Sequence, residues 1–149
     1  MQFTNAVLAL SALAGSALAA PTLGSKNMMA TNQQWTIQDF HRGCGPAGKA
    51  CSYHFAINTN DGSQPTQCNY QITATPPAAR ASYSGIQCGD FTISSSWSGQ
   101  FGEGKGFQVL AVVSKDRQII YPSYTDAQIG TDSAVVKPDQ SYTPQNLPQ

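Results

Sequence analysis

Apolar and polar residues alternate with a period of two along most of the chain after residue 33, which is typical of half-buried β-strands. The first two alternating segments, 34–38 and 52–58, flank a turn region that contains Cys44 and Cys51. We therefore predict a β-hairpin here, with an inward face made by Trp35, Ile37, Tyr53, Phe55 and Ile57.

The same alternation continues further along the chain. More strands are predicted at 68–74, 90–97, 107–113, 118–121, 124–126 and 134–136. No helical period appears between them. Seven or eight short strands with turn signals between them predict an all-β fold, a single antiparallel β-barrel or β-sandwich.

The N-terminal segment has the features of a secretory signal peptide. An apolar run at 6–13 precedes an A-x-A cleavage site at 17–19, which predicts a signal peptide of residues 1–19. The run is shorter than the roughly 18–20 residues that span a bilayer, so we expect a secreted, extracellular protein without a membrane span.

The rest of the chain divides by composition into three parts. Residues 20–33 have no period and are predicted to be flexible. Residues 34–136 form the predicted β-barrel domain, and the Pro- and Gln-rich segment 137–149 is predicted to be a disordered tail.

The four cysteines predict two disulfides, because an oxidising destination favours bonded cysteines. Sequence alone leaves three connectivities open, and local order favours Cys44–Cys51 together with Cys68–Cys88. Structural zinc sites use close pairs of the C-x₂-C type, which these spacings lack, so we expect no metal site.

Composition excludes further classes of protein. Charged residues make up 11% of the chain with a net charge of zero, so no clustered basic face is available for nucleic acid. A hydrophobic content of 40% argues against disorder driven by charge. The glycine-rich stretch 99–106 lacks the G-x-x-x-x-G-K-[ST] pattern of a phosphate-binding loop and is interpreted as a hairpin connection.

Candidate acid–base residues are few, and we assign no catalytic and no cofactor-binding residue. Glu103 is the single glutamate in the chain, and no pattern places it beside Asp90 or Asp116. His41 and His54 lie on neighbouring predicted strands, where with Glu103 and an arginine they would resemble the acid–base set of a small secreted ribonuclease.

Aromatic residues in loops or at strand ends are better candidates for recognition. Side chains of this type stack on neutral sugars or pack against a protein partner. The positions predicted for a recognition surface are Tyr83, Phe101, Tyr121 and Tyr124.

Three segments resemble a known group of proteins. They are 35–40 (WTIQDF), 53–57 (YHFAI), and Cys68 with 88–91 (CGDF). Over about residues 34–125 the chain resembles the fungal small secreted proteins called hypersensitive-response-inducing proteins and, more distantly, the β-barrel family of the Alternaria major allergen. The resemblance implies a compact β-barrel or sandwich, a Cys68–Cys88 link and no catalytic motif.

These observations favour a non-enzymatic secreted effector or elicitor that plant hosts perceive with a hypersensitive or defence response. The expected partner is a plant surface or receptor component, or a cell-wall polysaccharide. One alternative is a secreted β-barrel that binds carbohydrate or another small ligand. A second is a small hydrolase or ribonuclease that uses Glu103 and a histidine.

Overall fold

Two antiparallel β-sheets pack face to face in the computed structural model, which describes residues 33–130 and 134–148. The predicted signal peptide and nearly all of the predicted flexible segment 20–33 lie outside these residues. Neither sheet closes on itself, so the all-β prediction is confirmed as a sandwich rather than a barrel.

The smaller sheet has four strands in the order β3-β2-β1-β9. Its strands are β1 (Trp35–Cys44), β2 (Ala50–Asn58), β3 (Thr66–Thr73) and β9 (Gln140–Tyr142). β1 and β2 form the predicted hairpin, with Cys44 directly opposite Cys51.

The larger sheet has the order β10-β7-β6-β5-β4, and β8 also pairs with β6. Its strands are β4 (Tyr83–Cys88), β5 (Phe91–Ser98), β6 (Phe107–Ser114), β7 (Gln118–Ile120), β8 (Ser123–Thr125) and β10 (Gln145–Asn146). The helical segments are a 3₁₀ turn at Ala78–Arg80 and the one-turn helix α1 (Asp126–Ile129).

One hydrophobic core lies between the sheets, because the longer strands such as β1 and β6 turn alternate residues inward. Trp35 of β1 meets Phe91 of β5 edge to face, with ring centroids 5.5 Å apart. A bulge between Gln38 and His41 shifts the register of β1 and returns Phe40 to the core.

The structure corrects the expectation for the C-terminal segment, where 137–149 was predicted to be disordered. β9 pairs with the start of β1, and β10 pairs with β7. Lys137 also forms ion pairs with Asp39 and Asp139, and its hydrogen bond lowers the pKa of the Asp139 carboxyl. These strands have only two or three residues, too few for a period to appear, and sheet edges supply their order.

Two further strand predictions differ from the structure. β4 was missed because Gly85, at a φ of 73°, and a register shift between Tyr83 and Ile86 interrupt its alternation. Residues 134–136 were predicted to form a strand; in the structure this segment is irregular, with Val136 N–H donating to the carbonyl of Phe40 at 2.7 Å.

Both disulfides are present, as Cys44–Cys51 and Cys68–Cys88. The first closes the β1–β2 hairpin, with Cα atoms 4.0 Å apart. The second joins β3 to β4 and so connects the two sheets, with Cα atoms 5.5 Å apart. No helix among the described residues is long and apolar enough to cross a membrane.

Candidate functional site

The glycine-rich loop between β5 and β6, residues 99–106, separates two surface hollows. We call it the β5–β6 loop. One hollow, of about 630 Å³, is lined on this loop by Phe101 and Lys105 and on the far side by Thr125 and Gln128. The other, of about 550 Å³, is lined by Arg80, Trp97, Glu103 and Asp126. Gly104 contributes to both, so one loop shapes two possible ligand sites.

Phe101 projects from the β5–β6 loop and, at 63% exposed, is the most exposed large apolar side chain among the described residues. Its ring stacks on that of Phe107 at the start of β6, with centroids 5.7 Å apart. Two consecutive turns hold the loop, with Gly102 N–H donating to Gly99 O and Lys105 N–H donating to Gly102 O. The loop therefore exposes the Phe101 ring, which Phe107 and the two turns hold in place.

On the other side of the loop, the Trp97 indole is held from several directions. Its Nε1–H donates to Asp126 Oδ2 at 2.9 Å. The Arg80 guanidinium lies over the ring, 4.5 Å from its centroid. Gly99 and Gly106 lie against the ring edge with no space for a Cβ.

Asp126 connects this hollow to the core. It begins α1, whose capping box is formed by Thr125 and Gln128, and its backbone N–H donates to Gly106 O at 2.9 Å. Its carboxylate lies 3.5 Å from the guanidinium of Arg42, a β1 residue that is only 7% exposed.

Arg42 belongs to a buried polar network between the sheets. Its guanidinium donates to the side-chain oxygen of Gln108 at 3.1 Å. The amide nitrogen of Gln108 donates to Ser95 Oγ at 2.8 Å and to Tyr53 OH at 3.1 Å. The side chains of Arg42, Gln108, Ser95 and Tyr53 all have hydrogen-bond partners in this network, as buried polar groups require, whereas Asp126 Oδ1 has only its ion pair with Arg42. The network links the two sheets and α1.

Replacing Gly106 with alanine is expected to lower the free energy of unfolding by about 1–3 kcal/mol. A Cβ at this position would lie 2.5 Å from the Trp97 ring and collide with the Asp126 carboxylate, so both must move. Denaturant unfolding monitored by tryptophan fluorescence measures the change.

Gly45→Ala is the matched control, because a Cβ there would meet its nearest atom at 3.9 Å. We expect Gly45→Ala to unfold within about 0.5 kcal/mol of the parent chain. Equal stability of the two variants would contradict the tight packing of Trp97 at Gly106.

The structure separates the four aromatic residues that were predicted to form a recognition surface. Phe101 and Tyr121 are exposed, at 63% and 51%. Tyr124 is 1% exposed and stacks on Phe40 at 4.1 Å, so its assignment to the surface was wrong. Its strand position at β8 turns the side chain inward.

Tyr83 is also drawn into the interior and is only partly exposed. Its OH and that of Tyr70 share a hydrogen bond of 2.8 Å, and its ring meets that of Tyr53 edge on. Burial raises the pKa of both the Tyr70 and Tyr83 phenols above the ordinary tyrosine value. Tyr83 therefore contributes mainly to packing between the sheets.

The candidate acid–base residues are not brought together. Glu103 lies in the β5–β6 loop, whereas Asp90 and Asp116 lie at the opposite end of the β5–β6 hairpin. His41 and His54 pair with each other on the smaller sheet. The carboxylate that shares a hollow with Glu103 is Asp126.

Sequence reasoning missed the residues that build this site. Three polar residues occupy positions that face the core, where the alternation of each strand leads one to expect apolar residues: Arg42, Ser95 and Gln108. The position of a polar residue on the apolar face of a strand is the signal that the sequence offers for such a network. Gln108, for example, shares the buried face of β6 with Leu110 and Val112. Asp126 was predicted to lie in a strand. The Thr and Gln three residues apart at Thr125 and Gln128 fit the capping-box pattern, which marks the start of a helix at Asp126.

The amino-acid sequence of this chain was compared with those of known proteins and protein families. The model of the family described as Effector TSP1 matches residues 36–147. Effector TSP1 of Hypocrea virens (strain Gv29-8 / FGSC 10586) is 41% identical over 149 residues, covering 99% of this chain and 100% of that relative. The chain belongs to the Effector TSP1 family. This membership confirms the resemblance to fungal effectors.

The Effector TSP1 match extends beyond the region of resemblance that the sequence indicated, 34–125, and includes β9 and β10. It therefore covers the C-terminal strands that complete both sheets. It also includes the β5–β6 loop, both disulfides and α1. The family match, residues 36–147, therefore covers nearly the same part of the chain as the β-sandwich.

Proposed function

We propose that the chain is a secreted, non-enzymatic fungal effector that plant hosts perceive through the surface of the β5–β6 loop. Membership of the Effector TSP1 family supports the effector role. Secretion is supported by the signal-peptide pattern of residues 1–19 and by the two disulfides. The expected host response is defence or a hypersensitive reaction.

The observation that supports recognition through this loop is the exposure of Phe101 beside the 630 Å³ hollow. Aromatic anchors next to a concave surface are typical of interface residues that contribute most to binding. Phe107 supports the Phe101 ring from below, which limits the conformational freedom lost on binding. The partner class is a protein or receptor component of the plant surface.

A second candidate function, binding of a cell-wall polysaccharide, is favoured by the hollow around Trp97. There an indole lies among the carboxylates of Asp126 and Glu103 and the guanidinium of Arg80. An aromatic ring with several hydrogen-bonding groups suits a neutral sugar. Apart from Gly104, this hollow and the one beside Phe101 are lined by different residues, so substitutions can test the two candidates separately.

Phe101→Ser is expected to raise the dose needed for a half-maximal leaf response by at least about tenfold, because a central interface anchor contributes about 2 kcal/mol or more. The measurement is infiltration of purified, folded protein into leaves over a dilution series. Tyr121→Ser is the matched control, since Tyr121 is 51% exposed and lines neither hollow.

Three outcomes would redirect the proposal. No response to the folded parent chain in several hosts would overturn the elicitor function. An equal response to Phe101→Ser and to the parent would remove recognition from the β5–β6 loop. Retention of the parent on chitin, glucan or cellulose, with loss in Glu103→Gln, would favour the polysaccharide candidate instead.

A further inference from the structure

The chain contains two histidines, and the fold places them side by side. His41 of β1 and His54 of β2 are direct cross-strand partners. Their imidazole rings are nearly parallel, 13° apart, with centroids separated by 4.7 Å. Both point away from the core, because the inward positions beside them are Arg42, Tyr53 and Phe55.

Both imidazoles use the same ring nitrogen for a hydrogen bond within the protein. His41 Nδ1 lies 3.2 Å from the backbone oxygen of Asp39. His54 Nδ1 lies 2.6 Å from the side-chain oxygen of Asn69 on β3. Both partners are carbonyl oxygens, which only accept, so Nδ1 carries the proton in each neutral ring. The lone pair of each imidazole is therefore on Nε2.

We propose that His41 and His54 form a binding site for a divalent transition-metal ion, with Cu²⁺ the preferred ion, through their two Nε2 atoms. Histidines that bind metals typically donate the other ring N–H to a carbonyl or carboxylate oxygen, which fixes the tautomer and orients the ring. Both histidines here have such a partner. Cu²⁺ binds nitrogen ligands most tightly among the divalent first-row ions.

The surroundings of the pair suit an exchangeable surface site. Metal–nitrogen bonds of about 2.0 Å place two ligating nitrogens about 3 Å apart, so modest side-chain rotations must bring the rings together. Both side chains are half-exposed, which leaves space for such rotations. They border a hollow of about 340 Å³ with Gly43 and Ser52, where water can complete the coordination.

Covalent and ionic links hold the backbone beneath the two rings. The Cys44–Cys51 disulfide joins the same two strands, three residues from each histidine. Asp39, whose carbonyl orients His41, lies in the β1 bulge, and Lys137 binds its carboxylate. A pair of ligands held on a fixed scaffold loses less conformational freedom when it binds an ion. No cluster of three histidine, cysteine or acidic ligands occurs in the described part of the chain, so the site has two protein ligands.

The test is titration of the folded, disulfide-bonded chain with CuCl₂, followed by calorimetry and by electron paramagnetic resonance. We expect one ion per chain and a nitrogen hyperfine pattern from two imidazoles. His41→Gln and His54→Gln should each weaken binding at least about tenfold and remove one imidazole from the pattern. Asn69→Ala keeps both ligands and should weaken binding about 10–100-fold while the two-imidazole pattern remains.

Asp90→Asn is the control, because Asp90 is an exposed carboxylate whose ion pair is with Lys115. We expect its Cu²⁺ affinity to equal that of the parent chain. The proposal is overturned if the His41→Gln/His54→Gln double variant, shown by circular dichroism to be folded, binds Cu²⁺ as tightly as the parent. The titration is independent of the leaf assay, so either proposal can fail alone.

Discussion

Replacing both Cys68 and Cys88 with alanine is expected to lower the free energy of unfolding by about 3–5 kcal/mol. The two residues lie 20 positions apart and join β3 of one sheet to β4 of the other. Losing this link enlarges the conformational freedom of the unfolded chain, by about 3.3 kcal/mol in the loop-entropy model. Both cysteines are also buried, so their removal leaves space in the core.

Urea unfolding of the purified double variant, with both thiols absent, measures this change. The matched control removes Cys44 and Cys51, which are seven positions apart within one hairpin. Their shorter loop predicts a loss of about 2.5 kcal/mol in the same model. A larger loss from the Cys44/Cys51 pair than from the Cys68/Cys88 pair would show that the connection between sheets is not the more stabilising one.

Arg42→Met is expected to lower the free energy of unfolding by about 3 kcal/mol, although methionine retains most of the side-chain volume. The substitution removes the donor that satisfies the side-chain oxygen of Gln108, which is fully buried. It also leaves the Asp126 carboxylate without its cationic partner. Breaking a buried polar pair costs more than the pair contributes, because the remaining group stays desolvated.

Arg80→Met is the matched control for this prediction. Arg80 is exposed and contacts the Trp97 ring from the solvent side, so its loss should change stability by less than about 1 kcal/mol. Chemical unfolding of both variants under one set of conditions gives the comparison. Equal midpoints with equal slopes would mean that the buried network around Arg42 does not stabilise the fold.

The Arg42 network also has a consequence for the candidate site. Asp126 accepts a hydrogen bond from Trp97, and its backbone N–H bonds to Gly106 at the end of the β5–β6 loop. A core substitution at Arg42 should therefore alter the loop that carries Phe101. Under the proposed function, a change at Asp126 affects both stability and recognition, so the folded state of each variant must be measured before its leaf response.

The sequence predicted those parts of the fold in which alternation is regular. Trp35, Ile37, Phe55 and Ile57 face the core as their two-residue period requires. β4, β9 and β10 were missed because a glycine bulge or very short length removes any period. β9 and β10 are ordered by pairing with strands distant in sequence, β1 and β7, whereas β4 pairs with its neighbour β5.

For the candidate site, the sequence identified Phe101 and Tyr121 as exposed aromatics but also included Tyr124, which is buried. Tyr124 is buried because it is the middle residue of β8, a three-residue strand whose inward-facing side is set by its pairing with β6. The His41–His54 contact depends in the same way on cross-strand register after the β1 bulge. Register is a property of two strands together, and one segment of sequence does not specify it.

An all-β fold with two disulfides follows from the amino-acid sequence alone, because alternation and cysteine order are local properties. The open sandwich, the polar residues inside the core and the loop that exposes an aromatic side chain follow from the folded chain. These depend on contacts between residues far apart, such as Arg42 with Gln108 and Asp126. The free energy of burying such groups is set by their partners, and only the folded chain brings the partners together.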